Sequence, residues 1–436
     1  VGAISVYFNL STGVVRYLNI NTDNLIFVLS CFRDKRSFHF PQRIGNYAWL
    51  QSAFPGWIER ASTMNIFCQS MKHFLGALLC LALVGIRPAQ AFDFNGLQNL
   101  VGPGDAVIVS DPDNRICFSH NTDALLIPAS TLKLLTALTA FHTLGENYRF
   151  RTEFYLDAQS NLKIKGYGDP LLISEVIADI SAALHDRLTD TTHSLSNIIV
   201  DSSYFDTAVV IPGVTDSIEP YDAPNGALCV NFNTVNFQTT QGQYTSAEPQ
   251  TPLLPMVISR IHKTGLARGR ITLSHQKDEL VFYAGRLFKY FLERANVKVT
   301  GKVLLGRVEP GDKRILLYRS PFSLKQGVEK MMTYSNNFMA NQILLEAGIA
   351  QSGQPATLLK GVAAARKYVE NELIMDGLQL TEGSGISRKN RITAKNLHRI
   401  LLKFKPHYRL LRQDGTDFFK TGTLKNISTR VGFIGK

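Results

Sequence analysis

The feature that most constrains this chain is the order and setting of three short polar motifs: Ser130-Thr131-Leu132-Lys133, Ser335-Asn336-Asn337 and Lys420-Thr421-Gly422-Thr423. Leu132, Leu135, Leu138, Phe141 and Leu144 mark one apolar face of a helix that stops at Gly145, so Ser130 is placed at a helix N-terminus. Three-residue spacing puts the Lys133 amine on the same face as the Ser130 hydroxyl. A neutral amine in that position can take the hydroxyl proton while the oxygen attacks an acyl carbon. The helix dipole and nearby positive charge help to hold Lys133 unprotonated.

The same spacing occurs twice more, and context separates the three. Ser160 to Lys163 lies in an alternating, strand-like run, which sends the two side chains to opposite faces. Ser274 to Lys277 lies in a polar turn ahead of the helical run Leu280 to Leu292. The second motif falls between two helical patterns, one carrying Leu324, Val328, Met331 and Met332, the other running from Phe338 to Leu345 and ending near Gly348. A loop between helices can present Ser335 and Asn337 to a cleft. The third motif belongs to a β-rich run, Phe418 to Leu424, followed by a strand-like Thr429 to Ile434. On such a strand Lys420 and Thr421 come beside a substrate carboxylate, and Gly422 removes a side chain that would block the substrate backbone. A second Lys-Thr-Gly, Lys263 to Gly265, precedes Ser335 in the chain and reads as a surface turn.

Composition is that of a globular protein, with 436 residues, 45% hydrophobic and 19% charged. The net charge of +12 does not mark a nucleic-acid binder, because the excess is thinly spread and Arg388-Lys389-Asn390-Arg391 is the one local cluster. Met71-Lys72-His73, the apolar run Phe74 to Ile86 and Ala89-Gln90-Ala91 read together as a secretory signal with cleavage after Ala91. Residues 1–70 then read as an over-extended upstream stretch. Cys117 and Cys229 are the cysteines left after cleavage, and an oxidising compartment permits one disulfide between them. Neither they nor the ten His show metal-ligand spacing, so no metal and no cofactor is expected.

The ordered motifs resemble the D-alanyl-D-alanine carboxypeptidase/endopeptidase family of class C low-molecular-mass penicillin-binding proteins (peptidase family S13), along about residues 104 to 436. Further stretches carry the resemblance: Pro128 to Ala137, Leu144-Gly145, Phe150-Arg151-Thr152, Gly166-Tyr167-Gly168-Asp169-Pro170, Asp201 to Phe205, Ala340-Asn341-Gln342 and Gly383-Ser384-Gly385-Ile386-Ser387-Arg388. It implies that Ser130 attacks the carbonyl of a penultimate D-Ala with Lys133 as general base. It further implies that Ser335 relays the proton to the leaving nitrogen, Asn337 binds the substrate amide, and Lys420 and Thr421 hold the terminal carboxylate. The backbone N–H groups of Ser130 and Thr423 would form the oxyanion hole. Peptidoglycan stem peptides are the implied substrates, and β-lactams the implied covalent inhibitors. Glu382 stands where the family has Asp. The family also continues past its Lys-Thr-Gly hairpin, so the chain reads as truncated after Lys436, with the edge of its sheet exposed.

The expected fold is α/β (α+β), a penicillin-binding-protein/β-lactamase-like transpeptidase domain interrupted by a β-rich insertion. Residues 92–150 and 281–436 would build the catalytic domain and 151–280 the insertion, with strands at Phe154 to Leu156, Leu162 to Ile164, Ile198 to Val200 and Val235 to Phe237. The expected protein is periplasmic, with no transmembrane anchor once the signal is cleaved. A serine β-lactamase or esterase on this scaffold, and an exported wall-binding protein without catalysis, are the alternatives. The absence of an ExxLN segment and the 204 residues between Ser130 and Ser335 count against the first.

Overall fold

The computed structural model describes residues 98–188, 194–206 and 209–435, together with the backbone of three strands nearer the N-terminus. The signal segment 71–91 lies outside the described residues. In chain order the strands begin with β1 (Ile4–Asn9), β2 (Val15–Ile20), β3 (Leu25–Phe32), β4 (Ala106–Ser110) and β5 (Ile116–His120). A single 3₁₀ turn, Ala129–Leu132, then leads directly into helix α1 (Lys133–Leu144), which ends at Gly145 with φ 82°. Eight consecutive residues of α1, Lys133 to Ala140, are buried, which makes it a core helix despite its short length.

The chain next builds a separate unit from β6 (Arg151–Leu156), β7 (Leu162–Gly166), α2 (Ser174–Leu188), β8 (Ile198–Asp201), β9 (Thr234–Thr240), β10 (Gln243–Ser246), α3 (Pro255–Thr264), β11 (Arg268–Thr272) and α4 (Lys277–Arg294). It continues through β12 (Val303–Leu305) and β13 (Lys313–Arg319). These last two strands pair with β8 and β6, and α4 packs in the same apolar core as α2 and β8. The strands after α4, which lie beyond the boundary expected at 281, complete a five-stranded sheet that the earlier strands only begin. All four strands anticipated in the insertion fall within β6, β7, β8 and β9.

Four helices follow: α5 (Leu324–Tyr334), α6 (Asn337–Ser352), α7 (Leu358–Tyr368) and α8 (Ala394–Phe404). Each has a side-chain cap at its N-terminus, from Ser323, Asn336, Thr357 and Thr393 respectively. The chain closes with β14 (Arg412–Asp414), β15 (Asp417–Leu424) and β16 (Ile427–Ile434). The helix from Phe338 does not end near Gly348. It runs on to Ser352, and the glycine serves packing instead: a Cβ there would come within 2.5 Å of the Gly361 nitrogen on α7.

A six-stranded sheet has the order β14-β15-β16-β3-β4-β5. The exposed edge expected beside β16 is absent, since β3 pairs antiparallel with β16 on one side and β4 on the other. Unpaired N–H and C=O groups on two strands are satisfied by one inserted apolar strand. Helix α6 ties the two units together. Its Gln342 amide donates to the Gly168 and Gly226 carbonyls at 3.0 Å each, and its Glu346 accepts from Tyr148 at 2.5 Å and Tyr204 at 3.2 Å. Cys117 and Cys229 are both free thiols, Cys229 buried, so the disulfide that the compartment permits is not formed. Among the described residues no helix is long and apolar enough to cross a membrane.

The close approach of α6 and α7 gives a direct test. Gly348→Ala is expected to cost about 1 to 3 kcal/mol in denaturant unfolding, because the added methyl meets backbone that cannot yield. A neutral result would show that the two helices are free to separate.

Candidate active site

Ser130 and Lys133 are brought together as their spacing predicts: the Lys133 Nζ lies 2.9 Å from Ser130 Oγ. The amine is fully buried and has two further partners, Asn337 Oδ1 at 2.8 Å and the Ser384 carbonyl at 2.7 Å. Burial drives its pKa well below the ordinary lysine value, nearby Lys420 adds to that, and Glu382 opposes both. Both acceptors can only accept, whereas Ser130 can donate its proton. A neutral amine with two N–H groups and one lone pair fits this surrounding, its lone pair facing the hydroxyl.

Three consecutive residues at the α5–α6 junction do three jobs. Ser335 ends α5 in the left-handed region at φ 51°, Asn336 caps α6 by accepting from Met339 N at 2.9 Å, and Asn337 extends its side chain to Lys133. The Lys133 contact orients the Asn337 amide, so that its Nδ2 turns towards the Tyr221 carbonyl of the inserted unit at 3.5 Å. Ser335 Oγ accepts from Lys420 Nζ at 2.7 Å. Lys420, itself buried, also donates to the Thr421 carbonyl at 2.7 Å, and burial lowers its pKa to about 8.

Strand β15 passes directly beside Ser130. A Cβ on Gly422 would lie 2.7 Å from the Ser130 nitrogen and would overlap the Thr429 hydroxyl. The need for glycine therefore includes an internal reason beyond room for substrate: the strand and the Ser130 turn are in backbone contact. Thr429, opposite Gly422 on β16, fixes that contact by donating to the Pro128 carbonyl at 2.8 Å. Thr421 and Thr423 share the exposed face of β15, opposite the buried Lys420. Ser130, Lys133, Ser335, Asn337, Lys420 and Gly422 thus converge, while the two threonine side chains face outward.

The other candidates resolve differently. Ser160 is in a turn at φ 59°, and Lys163 on β7 pairs with Asp312 at 2.8 Å. Ser274 does lie just ahead of a helix, α4, but its hydroxyl donates to Glu279 at 2.5 Å and Lys277 reaches the Asp206 carbonyl at 3.0 Å. Lys263 to Gly265 ends α3, with Gly265 as its left-handed cap. Motif spacing gave no sign of three contributors to the site: the Ser384 carbonyl, Thr429 and the Tyr221 carbonyl. Two act through backbone oxygens, which every residue type has, and Thr429 reads as an ordinary strand residue. Paired glycines at 383 and 385, flanking Ser384, are the available sequence signal.

A serine hydroxyl held against a buried amine whose pKa is pushed well down is the pairing that acyl transfer through a serine needs. The chain belongs to the D-Ala-D-Ala carboxypeptidase 3 (S13) family, whose profile matches residues 98–412. Similar curated proteins include a D-alanyl-D-alanine carboxypeptidase of Actinomadura sp. strain R39, 27% identical over 380 residues, covering 73% of this chain and 70% of the relative. D-alanyl-D-alanine carboxypeptidase DacB of Haemophilus influenzae is 20% identical over 385 residues, covering 74% and 80%. The crystal structure of penicillin binding protein 4 from Haemophilus influenzae shares the fold, with a TM-score of 0.59 at 19% identity over 74% of this chain and 87% of that one.

Gly422→Ala tests the contact between strand and nucleophile. It is expected to destabilise the protein by about 1 to 3 kcal/mol and to slow acylation of Ser130, since the methyl displaces the Ser130 turn. Unfolding curves and acylation rates on the same sample check both, and an unchanged rate would contradict the geometry.

Proposed function

We propose that this protein is a serine D-Ala-D-Ala carboxypeptidase and endopeptidase acting on peptidoglycan stem peptides through an acyl-enzyme on Ser130. The observation that carries the reading is the buried Lys133 amine shared among Ser130, Asn337 and Ser384. Ser130 Oγ attacks the carbonyl carbon of the penultimate D-Ala as its proton passes to Lys133 Nζ. The backbone N–H groups of Ser130 and Thr423 receive the oxyanion. Lys420 donates to Ser335, which leaves the Ser335 hydroxyl proton available for the departing D-Ala nitrogen. Lys133 returns its proton through that relay, and the C–N bond breaks. Asn337 Nδ2 contacts the substrate amide, and Lys420 binds the terminal carboxylate, which the outward-facing Thr421 hydroxyl can meet only from the open face of β15. Water then cleaves the ester, restoring Ser130. A β-lactam follows the same first step, but its opened ring stays attached, which makes it a covalent inhibitor.

Fluorescent penicillin and a stem pentapeptide test the assignment together. A stable adduct and release of free D-Ala are expected from the wild type. Ser130→Ala should lose the adduct while melting normally, and Lys133→Ala should acylate about 10³- to 10⁴-fold more slowly. An adduct that persists in Ser130→Ala would move the nucleophile to Ser160 or Ser274. Rapid penicillin turnover would indicate a β-lactamase, and no labelling a wall-binding protein. Release of D-Ala compared with cleavage of a cross-linked dimer ranks the two peptidase activities.

The short basic start, apolar run and Ala89-Gln90-Ala91 support residues 71–91 as a signal that exports the protein to the periplasm. Cleavage after Ala91 would remove β3 and open the slot between β16 and β4. Mass spectrometry of the native protein should therefore find Phe92 at the N-terminus, and any peptide from Val1 to Ser70 would contradict this.

A further inference from the structure

We propose that Glu382 is a positioning residue for the Lys133 base: its carboxylate gathers the loop 381–390 so that the Ser384 carbonyl holds one N–H of the amine and the lone pair faces Ser130. The inference rests on the proposed function above and concerns how the base is aimed, which no feature of the three motifs describes.

Glu382 is fully buried and six donors converge on it. Oε2 accepts from Ser384 N and Ser384 Oγ at 2.6 Å each and from Asn341 Nδ2 at 3.2 Å. Oε1 accepts from Gly385 N at 2.7 Å, Ser387 N at 3.3 Å and Asn390 Nδ2 at 2.6 Å. Asn341 and Asn390 extend the network, since their Oδ1 atoms accept from Gly383 N and Thr381 N at 2.8 Å. A buried carboxylate surrounded only by donors organises the backbone that supplies them.

The loop so organised bears directly on the nucleophile helix. Its Ser384 carbonyl receives Lys133 Nζ at 2.7 Å, and its Gly383 carbonyl receives Thr136 Oγ1, one helical turn on from the lysine, at 2.6 Å. Gly385, at φ 86°, packs so tightly on the Ser130 turn that a Cβ would overlap the Ala129 carbonyl. Ala129 is itself in the left-handed region at φ 47°. The loop therefore fixes both the turn that carries the nucleophile and the acceptor that orients its base. Displacing the Ser384 carbonyl leaves the amine free to rotate its lone pair away from Ser130.

Glu382→Gln and Glu382→Asp separate positioning from bulk stability. Whichever way a glutamine amide turns, its NH₂ faces three donors, so the loop loses its organiser. Aspartate keeps both acceptor oxygens. Acylation by fluorescent penicillin is measured as a rate constant per labelled site, apart from the fraction of protein that labels. Glu382→Gln is expected to lower that constant about 10²-fold, and Glu382→Asp to restore most of it. Titration of the Lys133 side chain by NMR, assigned by its loss in Lys133→Ala, provides a readout independent of turnover. Its midpoint should fall in Glu382→Gln, because removing an anion disfavours the ammonium form. The proposal is overturned if Glu382→Gln reduces only melting temperature and labelled fraction, or if the Lys133 midpoint does not move. If the wild type fails to label at all, the functional assignment falls, and the titration still decides the role of Glu382.

Discussion

The structure is arranged around one buried amine. Lys133 has no exposed surface, and water cannot complete its hydrogen bonding, so the protein must supply every partner. Those partners come from three distant parts of the chain: Ser130 from the same helix start, Asn337 from the head of α6, and the Ser384 carbonyl from a loop before α8. A protonated lysine would be costly there, next to the cation of Lys420. The requirement to satisfy this buried amine explains why three segments so far apart in sequence meet at a single nitrogen.

Helix α6 makes that meeting possible. It is buried from Phe338 to Ile349, yet carries polar side chains along its length, each committed to a different neighbour. Asn337 reaches Lys133, Asn341 reaches the Glu382 loop, Gln342 holds two carbonyls of the inserted unit, and Glu346 accepts from two tyrosines. Buried polar groups of this kind are costly when unpaired and specific when paired. The unit built from β6 to β13 is therefore held in register at Gly168 and Gly226 by the same helix that brings Asn337 to Lys133.

Much of this was legible in the sequence. The apolar periodicity after Ser130, the position of Ser335 between two helical patterns and the strand character around Lys420 place the motifs on the elements where they are found. What failed to read through were features set by approach of backbone to backbone. Gly348 resembled a helix stop because the sequence does not show α7 lying against it. That β12 and β13 join β8 and β6 could not be read, because the partners of a strand lie far off in the sequence. The six-donor setting of Glu382 cannot be read from residue types, and the Ser384 carbonyl is signalled only by its flanking glycines. The sheet edge expected beside β16 was argued from where the chain stops, and the chain's own N-terminal strand β3 occupies that place.

The central claim is that Lys133 is neutral in the resting enzyme and acts as the base for Ser130. The pH dependence of the acylation rate constant with a β-lactam tests it most directly. The account predicts that the acidic limb of this profile lies well below the ordinary lysine value of 10.5, with the rate already at its maximum before that pH is reached. A rate that climbs through alkaline pH with its midpoint near 10.5 would contradict it, since the lysine would then be an exposed-like ammonium and another group would have to take the serine proton.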